Sequence, residues 1–146
     1  MLRISSPRIL VVDDLVDAAD SMALVLRIWG YDAEVSYDGA AALATAAAYR
    51  PQIVLLDLGM AVMDGLEVAR RFLARPEFWH VVLIALTGYT DNDHRLQARE
   101  AGFHHYLVKP VELGHLQELL ADYLGAERRA APIRIGATAR TAVLAN

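Results

Sequence analysis

Five short apolar runs, each followed by a longer stretch with helical spacing, constrain this chain more than any other feature of its sequence. Residues 8–12, 33–36, 53–56, 81–86 and 104–108 read as strands. The stretch after the first run places Ala18, Met22, Val25, Leu26 and Trp29 at i, i+4, i+7, i+8 and i+11, one apolar helix stripe that Gly30 ends. Further helices are expected at 39–48, 66–74, 92–101 and 112–124, the last with Leu113, Leu116, Leu120 and Tyr123 on its inner face. Strands separated by helices pair as parallel neighbours, because a parallel pair needs a crossover connection. The runs are continuously apolar and not alternating, so both faces of the sheet are covered. The expected fold is a doubly wound α/β sheet of five parallel strands flanked by five helices.

A chain of 146 residues is long enough for one hydrophobic core. It has no cysteine, which excludes a disulfide framework, a zinc knuckle and a thiol nucleophile. The longest uncharged apolar stretch, 81–90, is far short of a membrane span, and the first residues lack the apolar run of a secretion signal. The expectation is a soluble, cytoplasmic, single-domain protein with no membrane association. The net charge of −4 is unevenly spread: residues 1–125 carry 10 basic and 17 acidic groups, while those from 126 onward carry four arginines and one glutamate. An acidic body is a poor nucleic-acid ligand, so no direct DNA binding is expected. The domain is assigned to 7–124. The basic tail, 125–146, is expected to be flexible, with Ile133 and Ile135 as the one place for a short strand. Beside 13 arginines stands a single lysine, Lys109, which asks what task needs an ammonium and not a guanidinium.

In an open α/β sheet, ligands bind beyond the carboxyl ends of the strands. The first strand ends in Asp13 and Asp14, the third in Asp57, the fourth in Thr87-Gly88 and the fifth in Lys109-Pro110. Each alone has an ordinary reading. Asp13 or Asp14 could simply cap the next helix, Thr87 could be a turn residue, and Lys109 could be solvated. Taken together they form a set that phosphoryl chemistry uses. Three clustered carboxylates repel one another unless a cation neutralises them, and hard oxygen donors suit Mg²⁺ or Mn²⁺. A carboxylate such as Asp57 can act as nucleophile and form an acyl phosphate. Lys109 would balance the arriving charge and Thr87 would add a hydrogen bond. A compact ammonium on a flexible stem can follow a phosphoryl group as it arrives and leaves.

The segments Ile9-Leu-Val-Val-Asp-Asp14, Leu55-Leu-Asp-Leu-Gly-Met60, Met63-Asp-Gly65, Ala85-Leu-Thr-Gly88, Ala101-Gly-Phe103 and Tyr106-Leu-Val-Lys-Pro110, in this order and spacing, resemble the receiver domains of two-component response regulators. The resemblance covers roughly residues 7–124 and implies the CheY-like strand order 2-1-3-4-5. It implies that Asp57 is the phosphoacceptor, taking its phosphoryl group from a phosphohistidine of a histidine kinase or histidine phosphotransfer protein. By the same resemblance Asp13, Asp14, Asp57 and the carbonyl of Gly59 are metal ligands. Lys109 pairs with the phosphate, and Lys109-Pro110 falls at a site usually cis in the family. Thr87 and Tyr106 resemble a switch pair, the hydroxyl moving to the phosphoryl group as the ring turns inward. Four positions bear on how closely the sequence keeps to the family pattern. Leu15 follows the acidic pair where a polar residue is common, Ala61 replaces a common proline, and Gly59 and Tyr89 fill positions that tune hydrolysis of the acyl phosphate.

The five histidines, His80, His94, His104, His105 and His115, show no metal spacing and are expected at the surface or partly packed. Trp29 and Phe103 are expected in the core. The leading reading is a receiver without an attached output domain, signalling to a downstream protein or relaying phosphate, with a homodimer through the face of the fourth helix, fifth strand and fifth helix among its expected partners. It is a phosphoacceptor and not an enzyme beyond self-dephosphorylation. Three alternatives stay open: a degenerate receiver used as a scaffold, an aspartyl phosphohydrolase and a flavodoxin-like cofactor binder. The second would need an acid/base two residues after the nucleophile, where Gly59 stands. The third would want a phosphate loop where Asp13 and Asp14 stand.

Overall fold

The computed structural model describes residues 6–129. Five strands, β1 (Arg8–Val12), β2 (Asp32–Ser36), β3 (Ile53–Asp57), β4 (Val82–Thr87) and β5 (His105–Val108), form one sheet. Every pairing is parallel and the order is β2-β1-β3-β4-β5. The helices are α1 (Val16–Ile28), α2 (Gly39–Tyr49), α3 (Gly65–Leu73), α4 (Asn92–Ala101) and α5 (Leu113–Arg129), with one 3-10 turn at Pro76–Phe78 before β4. Successive strand residues point to opposite faces, so an all-apolar strand supplies two cores. Leu10, Val12, Val54 and Leu56 pack under α2, α3 and α4. Ile9, Val11, Ile53 and Leu55 pack under α1 and α5. No helix among the described residues is long and apolar enough to cross a membrane.

Four expectations shift. The buried positions of α1 are Ala19, Ala23 and Leu26; Ala18 is exposed and Val25 only partly covered, because two adjacent alanines let the apolar stripe be read one residue off. In α5 the buried apolar residues are Leu116, Leu119, Leu120 and Leu124, while Leu113 opens to solvent. That helix also runs on to Arg129, five residues past the expected boundary at 124. Gly125 alone does not stop it: a glycine costs a helix about 1 kcal/mol relative to alanine, and Ala, Glu and Arg, which follow it, are strong helix formers. Ile133 and Ile135, with the rest of the tail, lie outside the described residues.

The fourth shift concerns His105, which was expected at the surface or partly packed. It is 2% exposed, on the α5 side of β5, with its ring edge-on to Tyr123 at 5.1 Å between centroids. Its Nε2 has no hydrogen-bond partner among the described residues. Burial, with smaller contributions from His104 and His115, pushes its pKa from 6.5 down to about 4. Trp29 packs partly buried against the α1/α5 core, and Phe103 is buried in the other.

Candidate phosphoacceptor site

The sheet ladder extends just past the strands and thereby fixes the residues that follow them. The Asp13 N–H donates to the Ser36 carbonyl at 3.1 Å, the Leu58 N–H to Leu86 at 2.9 Å, and the Lys109 N–H to Thr87 at 2.7 Å. Asp13, Asp57, Thr87 and Lys109 are therefore held at one rim by backbone pairing. Gly65 seats the start of α3 against this rim. A Cβ there would lie 2.7 Å from the Asp57 carbonyl oxygen and 2.8 Å from the Leu58 Cα.

One oxygen from each of Asp13, Asp14 and Asp57 lies within 4.8 Å of the others, Asp13 and Asp57 buried and Asp14 exposed. Neither Asp13 nor Asp14 caps α1. The N-cap is Leu15, which offers no side-chain cap and forgoes about 1 kcal/mol of helix stabilisation. The carboxylates are engaged instead in a common pattern. Asp13 Oδ1 accepts from the Leu15 N–H at 3.0 Å, Asp14 Oδ2 from the Ala61 N–H at 3.1 Å, and Asp57 Oδ1 from the Gly59 N–H at 3.0 Å. Lys109 Nζ donates to the same Asp57 Oδ1 at 3.1 Å and stands 3.9 Å from Asp13 Oδ2. Each carboxylate thus has one oxygen held by a backbone N–H, and the Asp13 and Asp57 side chains also meet each other within hydrogen-bond reach.

Burial pushes the Asp13 carboxyl above the usual carboxylate range. The Asp57 charge adds to the rise, and the Leu15 N–H and Lys109 partly offset it. Three acidic groups facing one ammonium leave an excess of negative charge that a hard divalent cation fits, and each carboxylate has an oxygen close enough to the others to share one ion. Gly59 stands beside them as a hydrogen-bond donor, and its lack of a side chain keeps the approach to Asp57 Oδ1 open.

The expected switch residues are adjacent. Thr87 is 2% exposed, and its Oγ1 accepts the Tyr89 N–H at 3.1 Å. The Tyr106 ring already lies inward and buried, its hydroxyl donating to the Tyr89 carbonyl at 2.7 Å and the Arg95 guanidinium over its face at 5.4 Å. The Tyr89 ring stacks on His94 at 4.0 Å, and His94 Nδ1 is 2.7 Å from Asp91. The Lys109-Pro110 peptide is cis.

Beside the carboxylates, a cavity of about 530 Å³ opens between α1 and the segment joining β5 to α5. Leu15, Ala18, Met22, Val111 and Leu113 form its apolar wall, and Asp13 and Lys109 meet it at one edge. Nothing in the sequence pattern separates these residues from core positions. The signal that could have found them is an excess of apolar residues on α1 over what one helix face can bury: Leu15, Val16, Leu24 and Ile28 are all exposed.

Residues 9–121 match the family model described as the response regulator receiver domain. The transcriptional regulatory protein PrrA of Mycobacterium leprae is 39% identical over 113 residues, covering 77% of this chain and 48% of its own length. The chain therefore spans about half the length of that curated relative. Among solved structures, a CheY-like receiver domain protein from Methanospirillum hungatei superposes with a TM-score of 0.76 at 27% identity, covering 87% of this chain and 100% of its own. The receiver domain of the sensor histidine kinase PA1611 from Pseudomonas aeruginosa superposes with a TM-score of 0.75 at 30% identity, covering 83% and 99%, and was solved with magnesium coordinated in its active-site cleft. The carboxylate rim, the strand order 2-1-3-4-5 and the family match agree, and the chain belongs to the receiver-domain family of two-component response regulators.

Proposed function

We propose that Asp57 is the phosphoacceptor of this receiver, served by Lys109, Thr87 and a Mg²⁺ or Mn²⁺ site made by Asp13, Asp14, Asp57 and the Gly59 carbonyl. The observation that carries the reading is the asymmetry of Asp57: Oδ1 takes both a backbone N–H and the Lys109 ammonium, and neither of these donors holds Oδ2, the nucleophile. Oδ2 attacks the phosphorus of a phosphohistidine. The new P–O bond forms as the P–N bond breaks, and the imidazole leaves with the electron pair. A divalent cation, when bound, neutralises the carboxylates and the incoming phosphoryl oxygens. Lys109 transfers part of its attention from Asp57 to the phosphoryl group, which its flexible stem allows.

The donor is a phosphohistidine of a histidine kinase or histidine phosphotransfer protein, docking an apolar helix surface in the cavity between α1 and the β5–α5 segment. Release of the Thr87 hydroxyl from the Tyr89 N–H toward the phosphoryl group is the local event. Tyr106, tied to the same Tyr89, carries it to the face of α4, β5 and α5, where a downstream protein or a second copy reads it. A scaffold that is never phosphorylated would not need these donors.

Incubation with Mg²⁺ and acetyl phosphate is expected to add one phosphoryl group, read by mass, and beryllofluoride is expected to give a stable adduct. Equal labelling of Asp57→Asn, or no adduct in the wild type, overturns the proposal.

A further inference from the structure

A second cavity, of about 310 Å³, lies at the opposite end of the sheet, beneath the amino ends of β1, β3 and β4. The five residues of β3 separate it from Asp57 by roughly 15 Å. Arg8, Arg50, Glu77, Phe78, His80 and Val81 line it. In a body with 17 acidic and 10 basic groups, two arginines and a histidine around one cavity are a local reversal of charge.

Both arginines are placed in a way that core packing does not require. Arg8 Nε donates to the Tyr49 and Arg50 carbonyls at 3.0 and 2.8 Å, which fixes its head at the end of α2. Its terminal nitrogens make no hydrogen bond among the described residues. Arg50 caps α2 at φ 56°, ψ 63°, the left-handed conformation that glycine adopts freely and a residue with a Cβ adopts at a cost. The Arg50 guanidinium makes no hydrogen bond or ion pair among the described residues, nor does the His80 ring. A helix end where glycine is the better cap instead carries an unpaired guanidinium that lines a cationic cavity. Glu77 on the same wall disfavours a bare anion, Phe78 and Val81 close the floor as buried core residues, and Ala47 is exposed at the wall.

From this we infer that the cavity binds a phosphate monoester of mononucleotide size. The ester dianion sits between Arg8, Arg50 and His80, whose planar donors match phosphate oxygens. The organic part lies against Ala47 and the arginine stems, above the floor that Phe78 and Val81 close, and Glu77 accepts from one of its hydroxyl or amino groups. The volume is at the lower end of those that hold small ligands.

The test is a titration of the full isotope-labelled chain with AMP, adenosine and inorganic phosphate, followed by NMR at the Arg50 and His80 side chains. Saturable shifts there are expected with AMP, at least about tenfold tighter than with adenosine or phosphate alone. Arg50→Gly is expected to weaken AMP binding at least about tenfold while its melting temperature holds or rises, because glycine relieves the left-handed cap. His80→Ala, which leaves the cap untouched, is expected to weaken AMP binding as well. Unchanged affinity in both variants, shifts confined to the rim of Asp13, Asp57 and Lys109, or no saturable shift would overturn the inference. So would a fall in the melting temperature of Arg50→Gly, which would make Arg50 a structural cap.

Discussion

Lowering the pH should withdraw stability from this fold through one side chain, His105. In the unfolded chain the imidazole binds its proton near pH 6.5; in the folded protein, buried and with Nε2 lacking a partner, it does so only at about 4. Between these values the unfolded state holds more protons than the native state, so the unfolding free energy rises with pH. The contribution is fully present above pH 6.5 and is lost as the pH falls toward 4. At about 1.4 kcal/mol per pK unit, the whole interval is worth roughly 3–4 kcal/mol, most of which is gone by pH 4.5. That is a large part of the total for a domain with some 5–15 kcal/mol of stability. The assay is urea unfolding at pH 7 and 4.5 of the wild type and of His105→Phe. Every other group titrates in both proteins, and the packing difference between the two rings is the same at both pH values. The wild type is expected to lose roughly 2–3 kcal/mol more than the variant. Parallel losses would refute the reasoning, since they would mean that the imidazole takes up its proton in the folded state as readily as in the unfolded one.

Gly65→Ala is expected to destabilise by about 1–3 kcal/mol and to weaken Mg²⁺ binding, because the added Cβ meets the backbone of Asp57 and Leu58, and moving the Leu58 side chain, which it also meets, does not relieve those backbone contacts; thermal melts and a metal titration check both. Lys109→Arg keeps the charge but replaces a compact ammonium, 3.1 Å from Asp57 Oδ1, with a rigid fork, and phosphorylation by acetyl phosphate should fall by about tenfold or more. Leu15→Ser removes apolar surface from the wall of the cavity beside α1, so phosphotransfer from a phosphohistidine protein should slow by about tenfold, while labelling by acetyl phosphate stays within about twofold. A Leu15→Ser protein equally slow with both donors would take the docking surface away from α1.

The sheet was legible because continuous apolar runs and helical spacing are periodic signals that one sequence carries in full. The rim was legible because Asp13, Asp14, Asp57, Thr87 and Lys109 each sit at a strand end, a place the fold itself turns into a site. The donors that organise the rim were not. Leu15, Gly59 and Ala61 act through backbone N–H groups, which every residue but proline has, so no side-chain type announces them. The face of α1 was misread at Ala18 and Ala19 because two neighbouring alanines satisfy either stripe equally. The burial of His105 was missed because strand alternation says which face a residue takes and not how completely that face is covered. Arg50 was hidden for a related reason: a left-handed cap advertises itself in sequence only when the residue is glycine or asparagine.

The strand order also divides the site between stiff and compliant parts. β1, β3 and β4, which lead to or carry Asp13, Asp57 and Thr87, are each paired along both edges. Among the described residues β5, which carries Tyr106 and leads to Lys109, is paired only with β4. Displacing Asp57 would strain two hydrogen-bond ladders, whereas displacing Tyr106 or Lys109 strains one. The carboxylates therefore form a fixed anvil in the middle of the sheet, and the chain's outer strand is the hinge leaf that can register a change in charge at the least mechanical cost.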